Sequence, residues 1–245
     1  MSEARISGEQ ERIREVYRSY DSSSHWRAKR DPRLPGNTTI LAERTRGIRR
    51  VLAVAGMLPL DDRRVLDVGC GAGGELARLM ALGAQPYNLY GIDLLPDRIE
   101  AARQAHPDIH FSCGNAEHLD FPDAHFDLVL LFTVFSSILD DEMARNVAYE
   151  VRRVLKPGGA VLWYDFRYNN PSNPNVRGMT KRGIRLLFLG FDIWLRTITL
   201  LPPLARRLGP LTPVLYPVLA AVPPLRTHYL GLLVKPGDSK QIIAI

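Results

Sequence analysis

A cluster of glycines directly after a short apolar segment is the part of this sequence whose residue types best suit binding chemistry. Residues 65–68 have the apolar, β-branched character of a buried strand, and residues 69–73 place three glycines at alternate positions. Because glycine has no Cβ, such a backbone turns tightly and lets a ligand approach closely. The helical sequence that begins at Glu75 offers free N–H groups and a partial positive charge. We therefore predict a loop that binds a nucleotide-like ligand. The residues predicted to contact it are Asp67, Gly69, Cys70 and Gly71.

An acidic residue ends the next predicted strand. Asp93 lies 26 positions after Asp67, and Leu94 follows it. In nucleotide-binding folds, an acid at the end of the second strand accepts hydrogen bonds from the ribose hydroxyls. The alternative is a structural aspartate whose side chain caps the following helix. The glycine loop upstream favours the ribose interpretation, so we predict that Asp93 and Leu94 contact the ligand.

Strand-like and helical segments alternate through most of the chain. The predicted strands are residues 64–68, 88–93, 109–113, 126–132, 160–165, 191–199 and 227–234. The predicted helices are residues 9–20, 38–57, 75–82, 96–106, 140–155 and 180–189. Alternation at this spacing is typical of a doubly covered parallel sheet. We predict an α/β fold, a Rossmann-like three-layer α/β/α sandwich with a mostly parallel seven-stranded sheet and an antiparallel last strand near an edge.

Four segments, in order, resemble motifs of the class I S-adenosylmethionine (SAM) dependent methyltransferases. They are residues 65–73, 113–119, 126–134 and 155–159. The first has the family's acid followed by glycines at alternate positions, whereas nicotinamide dehydrogenases favour another glycine spacing. The second departs from the family pattern, because an asparagine, Asn115, stands where an aspartate is usual. The resemblance implies SAM as the cofactor. It also implies contacts from Asn115, Ala116 and Glu117 to the adenine and from Phe132 to the methionine part.

The resemblance further implies a division of the chain into two parts. Residues 1–45 are expected to form an N-terminal helical lid, with Tyr17 and Tyr20 one helical turn apart over the cofactor. Core packing is the alternative role for both tyrosines. Residues 46–245 are expected to form the SAM-binding domain, with a proline-rich apolar insertion at about residues 201–224.

Candidate catalytic residues follow from the chemistry of methyl transfer. Displacement at a sulfonium releases a neutral thioether, so the enzyme mainly supplies proximity and orientation. A general base is required where the acceptor is a hydroxyl or a protonated amine. Asp165 ends the fifth strand and His228 begins the last, which makes them the candidates. The alternatives are a turn cap or a partner of Arg167 for Asp165, and a packed side chain for His228. We predict no metal, since no His, Asp or Glu set has ligand-like spacing.

Charge and hydropathy constrain the partners. The 245 residues carry a formal net charge of +6, but the arginines are scattered, which favours a basic surface over a nucleic-acid groove. No uninterrupted apolar stretch reaches about 18 residues, so we expect a soluble, cytoplasmic protein without a membrane span. Two cysteines do not form a disulfide framework. The insertion fits a pocket lid, a dimer surface, a peripheral membrane contact or plain packing, and both a monomer and a homodimer are compatible with the sequence.

The acceptor is expected beside the fifth strand. The asparagine-rich residues 168–175 follow that strand, and their side chains suit a polyhydroxylated molecule. We therefore predict O-methylation of a small-molecule or glycan acceptor. The alternatives are a SAM-binding protein without turnover, or a methyltransferase acting on a lipid, quinone or RNA. The RNA alternative lacks the signature of base N-methylation, because the fourth strand ends in Leu131-Phe132-Thr133-Val134.

Overall fold

The structure is a computed structural model that describes residues 8–29 and 31–237. Residues 1–7, 30 and 238–245, which belong to the two segments predicted above, lie outside the described residues. Within the described part the chain forms seven strands. They are β1 (Val65–Val68), β2 (Leu89–Asp93), β3 (His110–Cys113), β4 (Phe126–Phe132), β5 (Leu155–Phe166), β6 (Asp192–Leu200) and β7 (Arg226–Val234).

The described residues also form nine α-helices. They are α1 (Gly8–Ser22), α2 (Ser24–Lys29), α3 (Pro35–Val54), α4 (Gly74–Met80), α5 (Pro96–Ala105), α6 (Asp141–Val154), α7 (Lys181–Leu187), α8 (Pro202–Arg207) and α9 (Thr212–Ala220). Local signals explain several starts. The Asp140 side chain accepts a hydrogen bond from Met143 N–H and begins α6. Thr180 begins α7 by the same type of cap. Proline occupies the first turn of α3 and of α5, where its missing N–H costs nothing.

The strands form one sheet in the order β3-β2-β1-β4-β5-β7-β6. The pairs from β3 through β5 are parallel, and β7 is antiparallel to both β5 and β6. β6 therefore runs in the same direction as β1 to β5, and β7 alone is reversed. From β1 the chain proceeds to β2 and β3 on one side of the sheet, and then returns to place β4 on the other side of β1. Ligands of open α/β sheets bind at such a switch point, beside the carboxyl ends of the strands.

Helices cover both faces of the sheet, so strand side chains of either parity are buried. On one face, Leu66 and Val68 pack with Val147 of α6 and Ile184 of α7. On the other face, residues such as Val65 pack with side chains of α3, α4 and α5. This double burial explains why β4 is almost wholly apolar. The predicted three-layer α/β/α sandwich with an antiparallel last strand is confirmed.

The connection between β6 and β7 contains α8 and α9, the predicted proline-rich insertion. It packs on α3, since a third apolar cluster joins Leu200 and Ala205 with Ile40. The Tyr216 hydroxyl of α9 donates a hydrogen bond to Glu43 Oε2 of α3 at 2.7 Å. The insertion therefore packs against α3.

Several boundaries differ from the sequence prediction: β5 already begins at Leu155 and not at residue 160, and two differences concern α3. α3 begins at Pro35 and not near Thr38, because Leu34 is extended and the proline supplies the first turn. The predicted division between residues 45 and 46 falls inside α3, so the helix continues across it. A Cβ at Gly47 would lie 2.6 Å from the Leu230 side chain, which shows how closely this helix packs on β7. Among the described helices, none combines the length and apolar character needed to cross a bilayer.

Candidate active site

The glycine loop follows β1 and bends at the carboxyl edge of the sheet. The N–H groups of Gly69 and Cys70 both donate to the carbonyl of Ile92 in β2, at 2.8 and 3.1 Å. Gly69 and Gly71 adopt φ values of 73° and 54°, a left-handed conformation that disfavours residues with a Cβ. Nothing lies within 4 Å of the position where a Cβ at Gly71 would stand, so the loop borders open space there. This geometry leaves the backbone accessible to a ligand.

Asp93 joins the glycine loop to the second strand and the next helix. Its Oδ2 accepts a hydrogen bond from Gly71 N–H at 2.9 Å, and its Oδ1 accepts one from Leu95 N–H at 3.0 Å. The residue is only 6% exposed. Each carboxylate oxygen has a further lone pair, so Asp93 is able to accept two more hydrogen bonds. Asp93 therefore holds the start of the following helix, the structural role considered above, and it also lies on the wall of a cavity.

A cavity lies at the carboxyl ends of β1, β2 and β4, and we call it the first cavity. Its walls are formed by Ile13, Tyr17, Val68, Gly69, Ile92, Asp93, Leu94, Leu95, Arg98, Gly114, Ala116, Phe132, Thr133, Val134, Ser137, Ile138, Met143 and Val147. Six predicted contact residues are among them: Tyr17, Gly69, Asp93, Leu94, Ala116 and Phe132. The structure thus brings together residues from α1, the glycine loop, and the ends of β2 and β4.

The predicted adenine turn is built differently from the expectation. The Asn115 side-chain oxygen accepts a hydrogen bond from Glu117 N–H at 3.0 Å, and its amide donates to Glu117 Oε2. Neither residue lines the first cavity, whereas Gly114 and Ala116 do. The side-chain oxygen of Asn115 is therefore used to shape the turn, and the polar groups that the turn presents to the cavity are those of the backbone.

Glu117 connects three parts of the chain. Its oxygens accept hydrogen bonds from Gln10 of α1, Asn146 of α6 and Asn115. Burial acts to raise the pKa of Glu117, but these three donors outweigh it and hold the pKa below its usual value. Glu117 fastens the N-terminal helix to the domain, which is a supporting role.

Asp67 and Cys70 are buried beneath the loop. Burial raises the pKa of Asp67 well above its usual value, and the carboxylates of Glu75 and Asp93 add to that effect. Burial likewise raises the pKa of the Cys70 thiol, which packs under β2. Neither side chain is on the wall of the first cavity, nor is Gly71. Asp67 and Cys70 thus support the loop from beneath, whereas Gly71 borders open space and has its N–H held by Asp93.

Helix α1 closes the first cavity from one side. The Tyr17 hydroxyl forms a hydrogen bond with Ser137 Oγ at 2.8 Å, and the Arg98 guanidinium lies 4.7 Å from the centre of its ring. Tyr20 is turned away from the first cavity, and its hydroxyl exchanges hydrogen bonds with the Asn173 side chain. The tyrosine predicted to lie one turn further along the lid is thus placed on a neighbouring space.

That neighbouring space is a second cavity of about 980 Å³. Its walls are formed by Tyr17, Tyr20, Trp26, Lys29, Arg98, Thr133, Ser136, Ser137, Phe166, Tyr168, Asn169, Asn170, Pro171, Ser172, Asn173, Val176, Leu201, Pro202, Pro203, Arg206, Arg207 and Thr227. Four residues line both cavities: Tyr17, Arg98, Thr133 and Ser137. The two cavities therefore meet at α1, α5 and the end of β4.

The candidate bases lie behind the cavity walls. Asp165 is 1% exposed, and its oxygens accept hydrogen bonds from the N–H groups of Ser136 and Phe166 at 3.0 and 2.7 Å. Burial raises the pKa of Asp165 to about 7, against the opposing effect of hydrogen bonds from Ser136. Asp165 does not line the second cavity, but Ser136 does. The carboxyl group is thus buried behind Ser136 and is not itself on the wall of the second cavity.

His228 is placed on the face of the sheet that α3 covers. Its ring stacks on Tyr164, with centroids 4.6 Å apart, and its Nδ1 pairs with Thr227 Oγ1 at 2.9 Å. Burial, aided by the nearby Arg44, lowers the pKa of His228 to about 3. His228 is thus a buried, neutral side chain that lines neither cavity, and it packs in the core, as the alternative considered above has it. The structure does not support His228 as a general base.

Three residues at the junction of the cavities were missed by the sequence analysis. Arg98 and Ser137 carry no recognisable local motif, because their positions depend on how α5 and the turn after β4 meet α1. Thr133 has a φ of 55°, which is rare for a β-branched residue. Its N–H donates to the Tyr164 carbonyl at 2.7 Å. Backbone strain of this kind is concentrated at functional sites.

The donor and acceptor groups of the first cavity fit SAM. A carboxylate with free lone pairs, Asp93, suits a diol such as ribose. Leu94 and Ala116 give apolar walls suited to a flat base, and the carbonyls and hydroxyls near Thr133 and Ser137 suit an ammonium group. No group of three or more potential metal ligands is found in the described residues.

The chain is similar in sequence to known methyltransferases. Residues 65–159 match the family described as a methyltransferase domain. The Fatty-acid O-methyltransferase of Mycolicibacterium smegmatis is 39% identical over 117 residues, which is 47% of this chain and 41% of the relative. The Phthiotriol/phenolphthiotriol dimycocerosates methyltransferase 1 of Mycobacterium ulcerans is 34% identical over 149 residues, 60% of this chain and 54% of the relative. The chain thus spans about half the length of these curated relatives.

Solved structures agree on the fold. A 1,6-didemethyltoxoflavin-N1-methyltransferase from Burkholderia thailandensis, with S-adenosylhomocysteine bound, superposes with a TM-score of 0.62 at 19% identity, covering 96% of this chain and 93% of that one. A putative sarcosine dimethylglycine methyltransferase from Galdieria sulphuraria superposes with a TM-score of 0.61 at 16% identity, covering 80% and 86%. Residues 65–159 thus match a methyltransferase domain, and these solved methyltransferase structures share the Rossmann-like fold of the chain.

Proposed function

We propose that the protein is an O-methyltransferase that uses SAM to methylate a lipid-type small molecule. The observation that carries this proposal is the second cavity, about 980 Å³, which opens beside the first and has a wall of mixed aromatic, aliphatic and hydroxyl groups. Such a space suits an elongated amphiphile better than a strongly hydrated sugar. The name of the Mycolicibacterium relative, a fatty-acid O-methyltransferase, supports the same class of acceptor.

The residues of the first cavity have distinct tasks in this proposal. Asp93 would accept hydrogen bonds from the ribose hydroxyls, and Leu94 and Ala116 would enclose the adenine. Phe132 and Tyr17 would flank the methionine part. When bound, SAM supplies an electrophilic methyl group on its sulfonium. Tyr17 and Thr133, at the junction of the cavities, would position the acceptor oxygen and exclude water, which is the main requirement of an in-line displacement.

A carboxylate acceptor needs no proton transfer, whereas a hydroxyl acceptor does. For a hydroxyl, Asp165 is the candidate base, because its pKa of about 7 permits it to take a proton near neutral pH. Ser136 borders the second cavity, and its buried hydroxyl has no hydrogen-bond partner, so this hydroxyl is the group that would pass the proton to Asp165. Asp165→Asn would then abolish the rise in rate with pH around neutrality for an alcohol substrate. It would leave the rate with a carboxylate substrate nearly independent of pH.

The glycan acceptor is less well supported. The asparagine-rich residues 168–175 favour it in the sequence, but the side-chain oxygens of Asn169, Asn170 and Asn173 already accept nearby backbone N–H groups, those of Gly178, Ser172 and Asn175. These asparagines hold the loop in shape and leave few side-chain oxygens for a sugar. RNA remains the second candidate, since a tRNA N(3)-cytidine methyltransferase from Gallus gallus is 30% identical over 116 residues.

Transfer of a tritiated methyl group from SAM tests the proposal. The substrates are fatty acids, long-chain alcohols, phenols, sugars and RNA, and the Asp93→Ala variant is the control. We expect label in the acid or alcohol fraction, absent from the control. Label confined to sugar or RNA would overturn the acceptor class. Calorimetry showing no affinity for S-adenosylhomocysteine would overturn the use of SAM.

A further inference from the structure

An arginine of the insertion faces the second cavity without a compensating partner. Arg206 lies on α8 and is half-buried. Its Nε atom is buried and has no hydrogen-bond partner. Within residues 8–29 and 31–237, no carboxylate forms an ion pair with it. Burial lowers the pKa of its guanidinium, and no neighbouring acid opposes that effect. A guanidinium N–H that loses water without gaining a partner is unfavourable, so the buried Nε of this half-exposed side chain requires another explanation.

The other cations of the second cavity are engaged or exposed. Arg98 forms an ion pair with Asp21 at 2.7 Å. The ammonium group of Lys29 lies 4.5 Å from the centre of the Trp26 ring. Arg207, next to Arg206, is exposed to solvent. Among the described residues that line this cavity, none is an aspartate or a glutamate. The cavity is therefore positively charged, and Arg206 is its least compensated group.

Apolar groups adjoin this charge. Leu201, Pro202 and Pro203 precede Arg206 on the same wall, and Phe166 contributes from β5. A guanidinium presents its N–H groups as a planar fork that matches a carboxylate or a phosphate. A cation beside apolar side chains is complementary to an anionic head group attached to a hydrocarbon chain. The arrangement suits neither a neutral lipid nor a free inorganic anion.

We propose that Arg206 is a specificity-determining residue that pairs with an anionic group, a carboxylate or a phosphate monoester, on an amphiphilic acceptor in the second cavity. This inference rests on the proposed function, because it concerns the acceptor of that reaction. It assigns to the insertion the task of selecting charged amphiphiles over neutral ones. The wall that α8 forms is thus part of the acceptor site.

The test measures binding without methyl transfer. Decanoate, decyl phosphate, decanol and inorganic phosphate are titrated by calorimetry into the protein, with and without S-adenosylhomocysteine. We expect the two anionic amphiphiles to bind at least tenfold more tightly than decanol, and the advantage to shrink as salt increases. Inorganic phosphate is expected to bind weakly, because it lacks the chain. Comparison of decanoate with decyl phosphate distinguishes the two head groups.

Variants assign the effect to Arg206. Arg206→Gln should remove most of the preference for anions and leave decanol binding unchanged, whereas Arg206→Lys should retain part of it. Arg182→Gln, which removes an exposed charge on α7 outside the cavity, is the matched control and should change nothing. A preference for anions that survives in Arg206→Gln would overturn the inference. So would equal affinity of the wild type for decanol and decanoate, or inorganic phosphate binding as tightly as decyl phosphate.

The two proposals fail in different ways. If no substrate is methylated but the anion preference and its loss in Arg206→Gln are observed, the proposed function fails and the binding site stands. If fatty acids are methylated while Arg206→Gln keeps the preference, the function stands and the role of Arg206 is wrong. The titrations of the wild type with charged and neutral chains also remain decisive where the Arg206→Gln variant folds poorly.

Discussion

The Asp93 carboxylate holds the glycine loop and the start of α5 through one hydrogen bond from each oxygen. Asp93→Ala removes both acceptors and leaves two backbone donors unpaired, which costs about 1–3 kcal/mol for each buried group. We expect S-adenosylhomocysteine to bind about 10- to 100-fold more weakly, as measured by calorimetry. Asp93→Asn keeps one acceptor and should lose less.

The matched control for Asp93 is Asp97→Ala. Asp97 lies in the first turn of α5, on the exposed surface, and does not line either cavity. Its removal should leave the affinity unchanged. An affinity of Asp93→Ala equal to that of the wild type would show that the ribose assignment is wrong.

The burial of His228 predicts how the free energy of unfolding depends on pH. Its pKa is lowered to about 3 in the folded chain, below the usual value of 6.5 in the unfolded one. Unfolding therefore takes up a proton below pH 6.5, so the free energy of unfolding is unaffected above that pH and falls as the pH drops. At pH 5 the loss is about 2 kcal/mol.

His228→Gln should remove that dependence. Urea denaturation of both proteins at pH 8 and pH 5 measures this dependence. Between pH 8 and pH 5 the free energy of unfolding of the wild type should fall by about 2 kcal/mol more than that of the variant. An identical pH dependence in the two proteins would mean that the imidazole is accessible to protons in the folded state.

Single residues also show where sequence patterns stop being informative. Asp93 and Gly69 could be predicted, because a strand followed by a turn defines their surroundings locally. Asn115 stands where the motif usually has an aspartate, and its side-chain oxygen accepts a hydrogen bond from Glu117 N–H two residues later, a competition that the motif does not contain. Arg206 could not be predicted, because its burial depends on α8 packing against a helix about 170 residues earlier in the chain.

At the scale of elements, the contact between α3 and α8 positions one wall of the second cavity, the proposed acceptor site. A Cβ at Gly36, in the first turn of α3, would lie 2.3 Å from the carbonyl oxygen of Ala205 in α8. Gly36→Ala should therefore displace α8 and destabilise the protein by about 1–3 kcal/mol. We expect weaker decanoate binding with unchanged affinity for S-adenosylhomocysteine.

Gly8→Ala is the control for this contact, because nothing lies within 4 Å of its added Cβ. Both variants are compared by thermal denaturation and calorimetry. Normal decanoate binding in Gly36→Ala would separate α8 from the acceptor site and contradict its assignment to that wall.

The strands from β1 to β5 and their helices followed from the sequence because each is a local pattern with a proline, a glycine or a cap at its ends. β6 and β7 were located, but their order was not. β7 inserts between β5 and β6, so Trp163 pairs with Gly231 across a long stretch of chain. Pairing of strands distant in sequence leaves no local signature. β7 lies next to the edge strand β6, in agreement with the prediction that the last strand lies near an edge.

At the scale of the whole molecule, we expect a bound ligand to stabilise some helices more than others. α1 borders both cavities through Tyr17, whereas α8 borders the second alone. A ligand at 100 times its dissociation constant stabilises the folded state by about 2.7 kcal/mol, which raises Tm by about 5 °C or more for a chain of this size.

Hydrogen exchange locates that stabilisation. S-adenosylhomocysteine should slow amide exchange in α1 and leave α8 unchanged, while decanoate should slow exchange in both. Exchange in α9, which borders neither cavity, is the internal control. Equal protection of α8 by S-adenosylhomocysteine would show that the two cavities respond as one.

The insertion leaves the sheet and returns to it at neighbouring points, since Leu200 of β6 pairs with Arg226 of β7. A segment whose two ends lie side by side is able to change in length without separating the strands on either side. The segment that matches the methyltransferase family, residues 65–159, ends well before it. If the insertion forms the acceptor wall, as proposed, a new acceptor calls for changes in this module and in the face of α3 on which it packs. Chimeras that swap this module between related enzymes are the natural way to transfer acceptor preference.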